Sequence, residues 1–109
     1  MGTTDMSLIL YTKNQCVFCD IMKENLNRWG VKYMTVNVQE DPEALELLKE
    51  RGIRTVPQLF LNGVSLNQGI DTREFTEKML YDKIMLYIND NRSDWESIPI
   101  EIREWAEQH

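Results

Sequence analysis

Residues 7–12 read Ser-Leu-Ile-Leu-Tyr-Thr, an apolar run with β propensity that ends in the polar turn Lys13-Asn14-Gln15. This predicts a buried first strand. From Val17 the apolar positions Ile21, Met22, Leu26 and Trp29 recur at helical spacing, and Gly30 follows the last of them as a stop. Residues 31–38 alternate and are rich in β-branched side chains, as a second strand requires. Asp41-Pro42 then caps a second helix that runs through Leu45, Leu47 and Leu48 to Gly52.

After Gly52 the punctuation changes. Thr55-Val56-Pro57 leads into Gln58-Leu59-Phe60-Leu61, and Asn62-Gly63 separates that run from Val64-Ser65-Leu66, which is the signature of a β-hairpin. Asp71 or Thr72 is expected to cap a third helix with Phe75, Met79, Ile84, Tyr87 and Ile88 on its apolar stripe. The predicted order is β-α-β-α-β-β-α. Beyond Asn89, the polar run 89–94 reads as a linker to a short helix starting near Pro99, whose Ile98, Ile102 and Trp105 form a stripe suited to docking on the parent domain. The expected division is therefore a domain over 1–89 and an extension over 90–109.

Composition narrows the function. The chain has 109 residues, 12 basic and 18 acidic, with a formal charge of −6, so the clustered cations a nucleic-acid binder needs are missing. With 42% hydrophobic residues it can build one small core. No stretch approaches the roughly 18 consecutive apolar residues of a membrane span, and residues 1–5 lack a secretory pattern, so a cytoplasmic location is expected.

Two cysteines in a reducing compartment point to chemistry rather than to a disulfide scaffold. Cys16 and Cys19 form a Cys-x-x-Cys pair at the junction of strand and helix, where free amides and the helix dipole stabilise a thiolate. Cys16 sits at the helix start and Cys19 one turn inside, close enough to attack a disulfide formed on Cys16. Half a zinc site or two buried thiols are the competing readings. A closed zinc site wants four ligands, and the one further Cys or His is His109, so no metal is expected. Pro57 either begins a strand or follows a cis bond that frees the Val56 backbone to pair with an extended substrate.

Three motifs in order, Lys13-Asn14-Gln15-Cys16-Val17-Phe18-Cys19, then Gly52 through Gly63 with Thr55-Val56-Pro57, then Gly69-Ile70-Asp71, resemble a dithiol glutaredoxin over about residues 7–86. The resemblance implies a thioredoxin-like α/β fold with a four-stranded mixed sheet, and a thiol-disulfide oxidoreductase that uses glutathione as reductant and co-substrate. It makes Cys16 the nucleophile and Cys19 the resolving thiol. It places Lys13 by the thiolate and the glutathione, Val56 in backbone pairing with the tripeptide, and Pro57 as the cis-proline. Phe18, Thr55, Gly69, Asp71 and Thr72 complete that binding site, with amides at 71–72 for the γ-glutamyl carboxylate. Phe18 would lie on the rim as flat apolar contact for protein substrates.

Two departures stand out: Val17-Phe18 replaces the usual Pro-Tyr, and Gln68-Gly69 the usual Gly-Gly. Val17-Phe18 is similar to the small phage-type thioredoxins, which offers a second reading, reduction by thioredoxin reductase. A third is a glutathione-assisted iron–sulfur carrier, a fourth an interaction module built on the stripe 98–105. Disulfide-bearing proteins such as ribonucleotide reductase are the partners the resemblance implies, for a protein expected to be a monomer.

Overall fold

The computed structural model describes residues 8–109. Ser7, where the first strand is expected to open, and residues 1–5 lie outside the described residues. Four strands form a single sheet in the order β2-β1-β3-β4. They are β1 (Leu8–Thr12), β2 (Met34–Asn37), β3 (Gln58–Leu61) and β4 (Val64–Ser65). β1 runs parallel to β2, with Leu10 opposite Thr35, and antiparallel to β3, with Leu10 opposite Leu59; β3 and β4 close the hairpin at Leu61 and Val64. The sheet is thus mixed. β2 and β4 are each shorter than the alternation in the sequence suggests.

Side-chain alternation along the strands sorts the core into two layers. Leu8 and Leu10 of β1 and Leu59 and Leu61 of β3 point to one face, where they meet Met22 and Leu26 of α1 (Val17–Trp29) and Leu80, Ile84 and Ile88 of α3 (Glu77–Asp90). Tyr11 and Phe60 point to the other, against Ala44 and Leu48 of α2 (Pro42–Glu50). Their rings cross edge to face with centroids 5.3 Å apart. α1 ends at Gly30, whose φ of 76° closes the helix in a conformation that side chains resist. α2 is capped by Asp41, whose side chain accepts from the Ala44 N–H at 3.1 Å, with Pro42 in its first turn.

The third helix starts later than expected. Asp71 caps only a three-residue 3-10 turn, Thr72–Glu74, and α3 begins after Thr76, whose hydroxyl accepts from the Met79 N–H at 3.1 Å. Both sites carry a capping residue, and Phe75, buried between them with an extended backbone, separates the two. The run after α3 is likewise not an open linker but a kinked 3-10 stretch, Arg92–Ser97, followed by α4 (Ile100–Glu107). Ile98, Ile102 and Trp105 are buried in the same cluster as α1 and α3. The Trp105 indole N–H donates to the Trp29 carbonyl at 2.8 Å, which ties α4 to the C-terminal end of α1.

Candidate active site

α1 starts where β1 leaves the sheet, so its N-terminus lies at the exposed carboxyl end of a central strand. Cys16 is the N-cap residue, in extended conformation, and its sulfur receives the Cys19 N–H at 3.1 Å. The two are joined as a disulfide with their Cα atoms 5.2 Å apart. Their exposures differ in a way that matters: Cys16 retains 9% and Cys19 only 1%. A reagent from solution therefore meets the first sulfur, and the donor N–H of Cys19 faces that sulfur whenever it is released as thiolate.

The second wall is the loop before β3. The Val56–Pro57 bond is cis, and the Val56 carbonyl oxygen lies 4.0 Å from Cys16 Sγ. Of the two possibilities left open by the sequence at Pro57, the structure contains the cis form. Pro57 is buried, while Thr55 is exposed beside the half-buried Val56. Lys13 shares a groove with Thr55 and Val56. Phe18, 42% exposed, and Val17, 70% exposed, are the two apolar residues between the cysteines.

The 69–73 segment is arranged differently from the expected helix terminus. Gly69 has φ +81°, and a Cβ there would meet no atom within 4 Å, so its backbone conformation and not close packing is what calls for glycine. Thr72 is buried at the start of the 3-10 turn. Asp71 turns its carboxylate onto Arg73: Oδ1 accepts from the Arg73 backbone N–H at 2.8 Å and from Nε at 3.1 Å, and Oδ2 from a terminal guanidinium nitrogen at 2.8 Å. The side-chain bonds to Arg73, followed by its backbone N–H, hold the Asp71 carboxyl down at about 2. The guanidinium then lies 5.4 Å from the centre of the Phe18 ring, a cation–π contact that links this turn to the cysteine loop.

Residues not singled out by sequence reasoning complete the frame. Asn67, 3% exposed, donates to the Pro57 carbonyl at 3.2 Å and accepts from the Leu59 N–H at 2.9 Å. Asn14, Asn37 and Gln39 form a polar lattice that pins the loop before Cys16, with the Asn14 N–H donating to Gln39 Oε1 at 2.9 Å and Asn37 to Asn14 Oδ1 at 2.8 Å. An isolated Asn in a hairpin or turn carries no sequence signal for such a clamp. Among the described residues no three His, Cys, Asp or Glu side chains gather as a metal site, and His109 Nε2 lies 2.7 Å from Glu77 Oε2. No helix among the described residues is long and apolar enough to cross a membrane.

This arrangement, a strand, a helix opening on two cysteines and a cis-proline loop across from them, is the thioredoxin-like fold. Glutaredoxin C1 from Populus tremula x tremuloides superimposes with a TM-score of 0.55 at 22% identity, covering 79% of this chain and 80% of that one. The glutaredoxin-like protein NrdH-redoxin from Escherichia coli, whose structure is described as the basis of a thioredoxin-like activity profile, gives a TM-score of 0.51 at 33% identity over 53% of this chain and 76% of that one. In sequence, the chain is 33% identical over 60 residues to glutaredoxin-like protein NrdH of Escherichia coli (strain K12), covering 55% of this chain and 74% of the relative. It is 28% identical over 91 residues to mitochondrial glutaredoxin-2 of Rattus norvegicus, covering 78% and 58%. The glutaredoxin family model matches residues 8–66, more than half of the chain. The chain belongs to the glutaredoxin family, and it is a thiol-disulfide oxidoreductase with a redox-active cysteine pair.

Proposed function

We propose that this chain is a dithiol donor to protein disulfides, recharged by a dithiol enzyme of the thioredoxin-reductase kind. The observation that carries the reading is the unequal exposure of the two cysteines: Cys16, beside the Val56 carbonyl, keeps a small opening to solvent, and Cys19 keeps almost none. The thiolate of Cys16 attacks one sulfur of the substrate disulfide, forms a mixed disulfide and expels the other substrate sulfur as a thiolate, which takes a proton from solvent. Cys19, losing its proton, then attacks Cys16 Sγ and releases the second substrate thiol. Two electrons pass to the substrate, and the Cys16–Cys19 disulfide remains. Lys13 and the first turn of α1 stabilise the attacking thiolate, Val56 and the cis-Pro57 loop hold the substrate backbone beside it, and Phe18 offers apolar contact on the rim.

The 69–73 turn favours a dithiol recharging partner over glutathione. A γ-glutamyl carboxylate arriving there would approach the ionised Asp71, while the Arg73 amide and guanidinium that could receive it are already engaged. A three-residue 3-10 turn also brings little of the dipole that a full helix offers an anion. The likeness to a relative with a thioredoxin-like activity profile supports the same choice. Glutathione as reductant is the second reading, favoured by Lys13 and Val56 in one groove, with Phe18, Thr55, Pro57, Gly69, Asp71 and Thr72 as its remaining contacts. The disulfide of ribonucleotide reductase is the substrate implied by resemblance. In this reading residues 1–89 are the catalytic domain, 90–109 its docked extension, and a reducing cytoplasm the working compartment of the monomer.

The test is to supply the oxidised protein with NADPH and either thioredoxin reductase or glutathione with glutathione reductase, reading NADPH consumption on a protein disulfide. Turnover with thioredoxin reductase and little with glutathione is expected. The reverse pattern moves the protein to the glutathione reading, and silence in both, with no reduction by the dithiothreitol-reduced protein, overturns the donor role.

A further inference from the structure

Val56 stands between two features of the surface. Its carbonyl meets the reactive sulfur, and on its other side opens a groove of about 750 Å³ that runs between the 52–56 loop and α2. Lys13, Lys49 and Arg54 line this groove, and all three are exposed. Among the described residues no Asp or Glu lines it, and none of the three cations is in an ion pair. That is a local reversal of charge in a chain whose formal net charge is −6. The neighbouring acids of α2, Glu46 and Glu50, are exposed but not among its walls. Leu45, 37% exposed, and the buried Leu48 and Ile53 supply an apolar side. Unpaired cations along a concave wall focus a positive potential there and draw in segments of opposite charge.

We infer that this groove seats an extended acidic segment of the disulfide-bearing protein, flanking the cysteine that Cys16 attacks, with Lys49 reading its carboxylates and Leu45 an apolar side chain. The inference rests on the donor reading above and names its substrate class. Lys49 and Leu45 belong to α2, which carries neither cysteine, so they set which disulfide is taken and not how it is broken.

The experiment is a single turnover with pre-reduced protein, which needs no reductase. Three disulfides are compared: a short peptide with Glu and Leu on both sides of its disulfide cysteine, the same peptide with Lys in place of Glu, and uncharged hydroxyethyl disulfide. The acidic peptide is expected to react about tenfold faster than the basic one at low concentration, and raised salt to shrink that preference. Lys49→Glu should abolish or invert the preference while leaving hydroxyethyl disulfide unchanged, and Lys49→Ala should reduce it. Equal rates for the two peptides, or a preference that survives Lys49→Glu, overturn the inference and leave the donor reading standing. A glutathione mixed disulfide slowed by Lys49→Glu as much as the acidic peptide also overturns it, assigning the groove to the tripeptide. Failure of the wild type on every disulfide instead overturns the donor reading itself.

Discussion

Asn67 holds Pro57 from behind: its amide nitrogen donates to the proline carbonyl at 3.2 Å while its oxygen accepts from the Leu59 N–H at 2.9 Å. A side chain thereby satisfies two backbone groups on either side of Gln58, at the point where the loop facing Cys16 becomes β3. Asn67→Ala leaves a buried donor and a buried acceptor unpaired. A loss of about 2–3 kcal/mol is expected in urea unfolding, since one unsatisfied buried group costs roughly 1–3 kcal/mol. Asn67→Asp keeps the acceptor for Leu59 and puts a carboxylate against the Pro57 carbonyl. It should be at least as damaging at neutral pH, and a milder effect than that of alanine would contradict the clamp.

Cys19→Ser should stall on protein disulfides as a covalent adduct through Cys16, because the buried residue that resolves the adduct can no longer attack. Intact-mass measurement after mixing with a disulfide peptide should find one added peptide. Cys16→Ser should give no adduct and no turnover, the remaining cysteine being only 1% exposed. An adduct on Cys19 in that variant would refute the assignment of roles.

Asp71 titrates well below an ordinary carboxylate, at about 2, through its bonds to Arg73. A depressed folded-state value contributes stability that is present above the unfolded value of 3.8 and is lost as pH falls through about 2. Carbon-detected NMR titration should find this low midpoint. Arg73→Ala should return it toward 3.8 and free the Phe18 ring, whose resonances should shift at the same time. An unmoved midpoint in the variant would show that the pair does not persist in solution.

Residues beyond 89 contribute to stability through the shared core. Ile102 is 1% exposed in the α1–α3 cluster, and Ile102→Ala is expected to cost about 2–5 kcal/mol in denaturant unfolding. Trp105→Phe removes the donor to the Trp29 carbonyl and should cost about 1 kcal/mol. A single unfolding transition shifted by both substitutions is the expected result; a separate early transition would mean that α4 folds apart.

Much of this architecture is legible in the chain because its signals are local. The Asp41-Pro42 cap, the Gly30 stop and the Asn62-Gly63 hairpin each act through neighbours in sequence, and each sits where the pattern predicts. The cysteine pair is readable for the same reason. What escapes is decided across the fold. Asp71 and Thr76 are both competent caps, and the extended, buried Phe75 between them divides a 3-10 turn from α3. The contact of Arg73 with Phe18 and the hold of Asn67 on Pro57 join residues whose types alone say nothing of each other. In the 89–94 run polarity suggests an unstructured linker, yet a 3-10 stretch begins within it at Arg92.

The unequal depth of the two sulfurs has a kinetic consequence. With Cys19 closed off, every electron pair enters and leaves through one atom, and a supplier and a recipient compete for the same landing place. They can never be held at once. Steady-state rates measured at several fixed levels of either should therefore yield parallel double-reciprocal lines, the ping-pong pattern of a shuttle that completes one errand before it accepts the next.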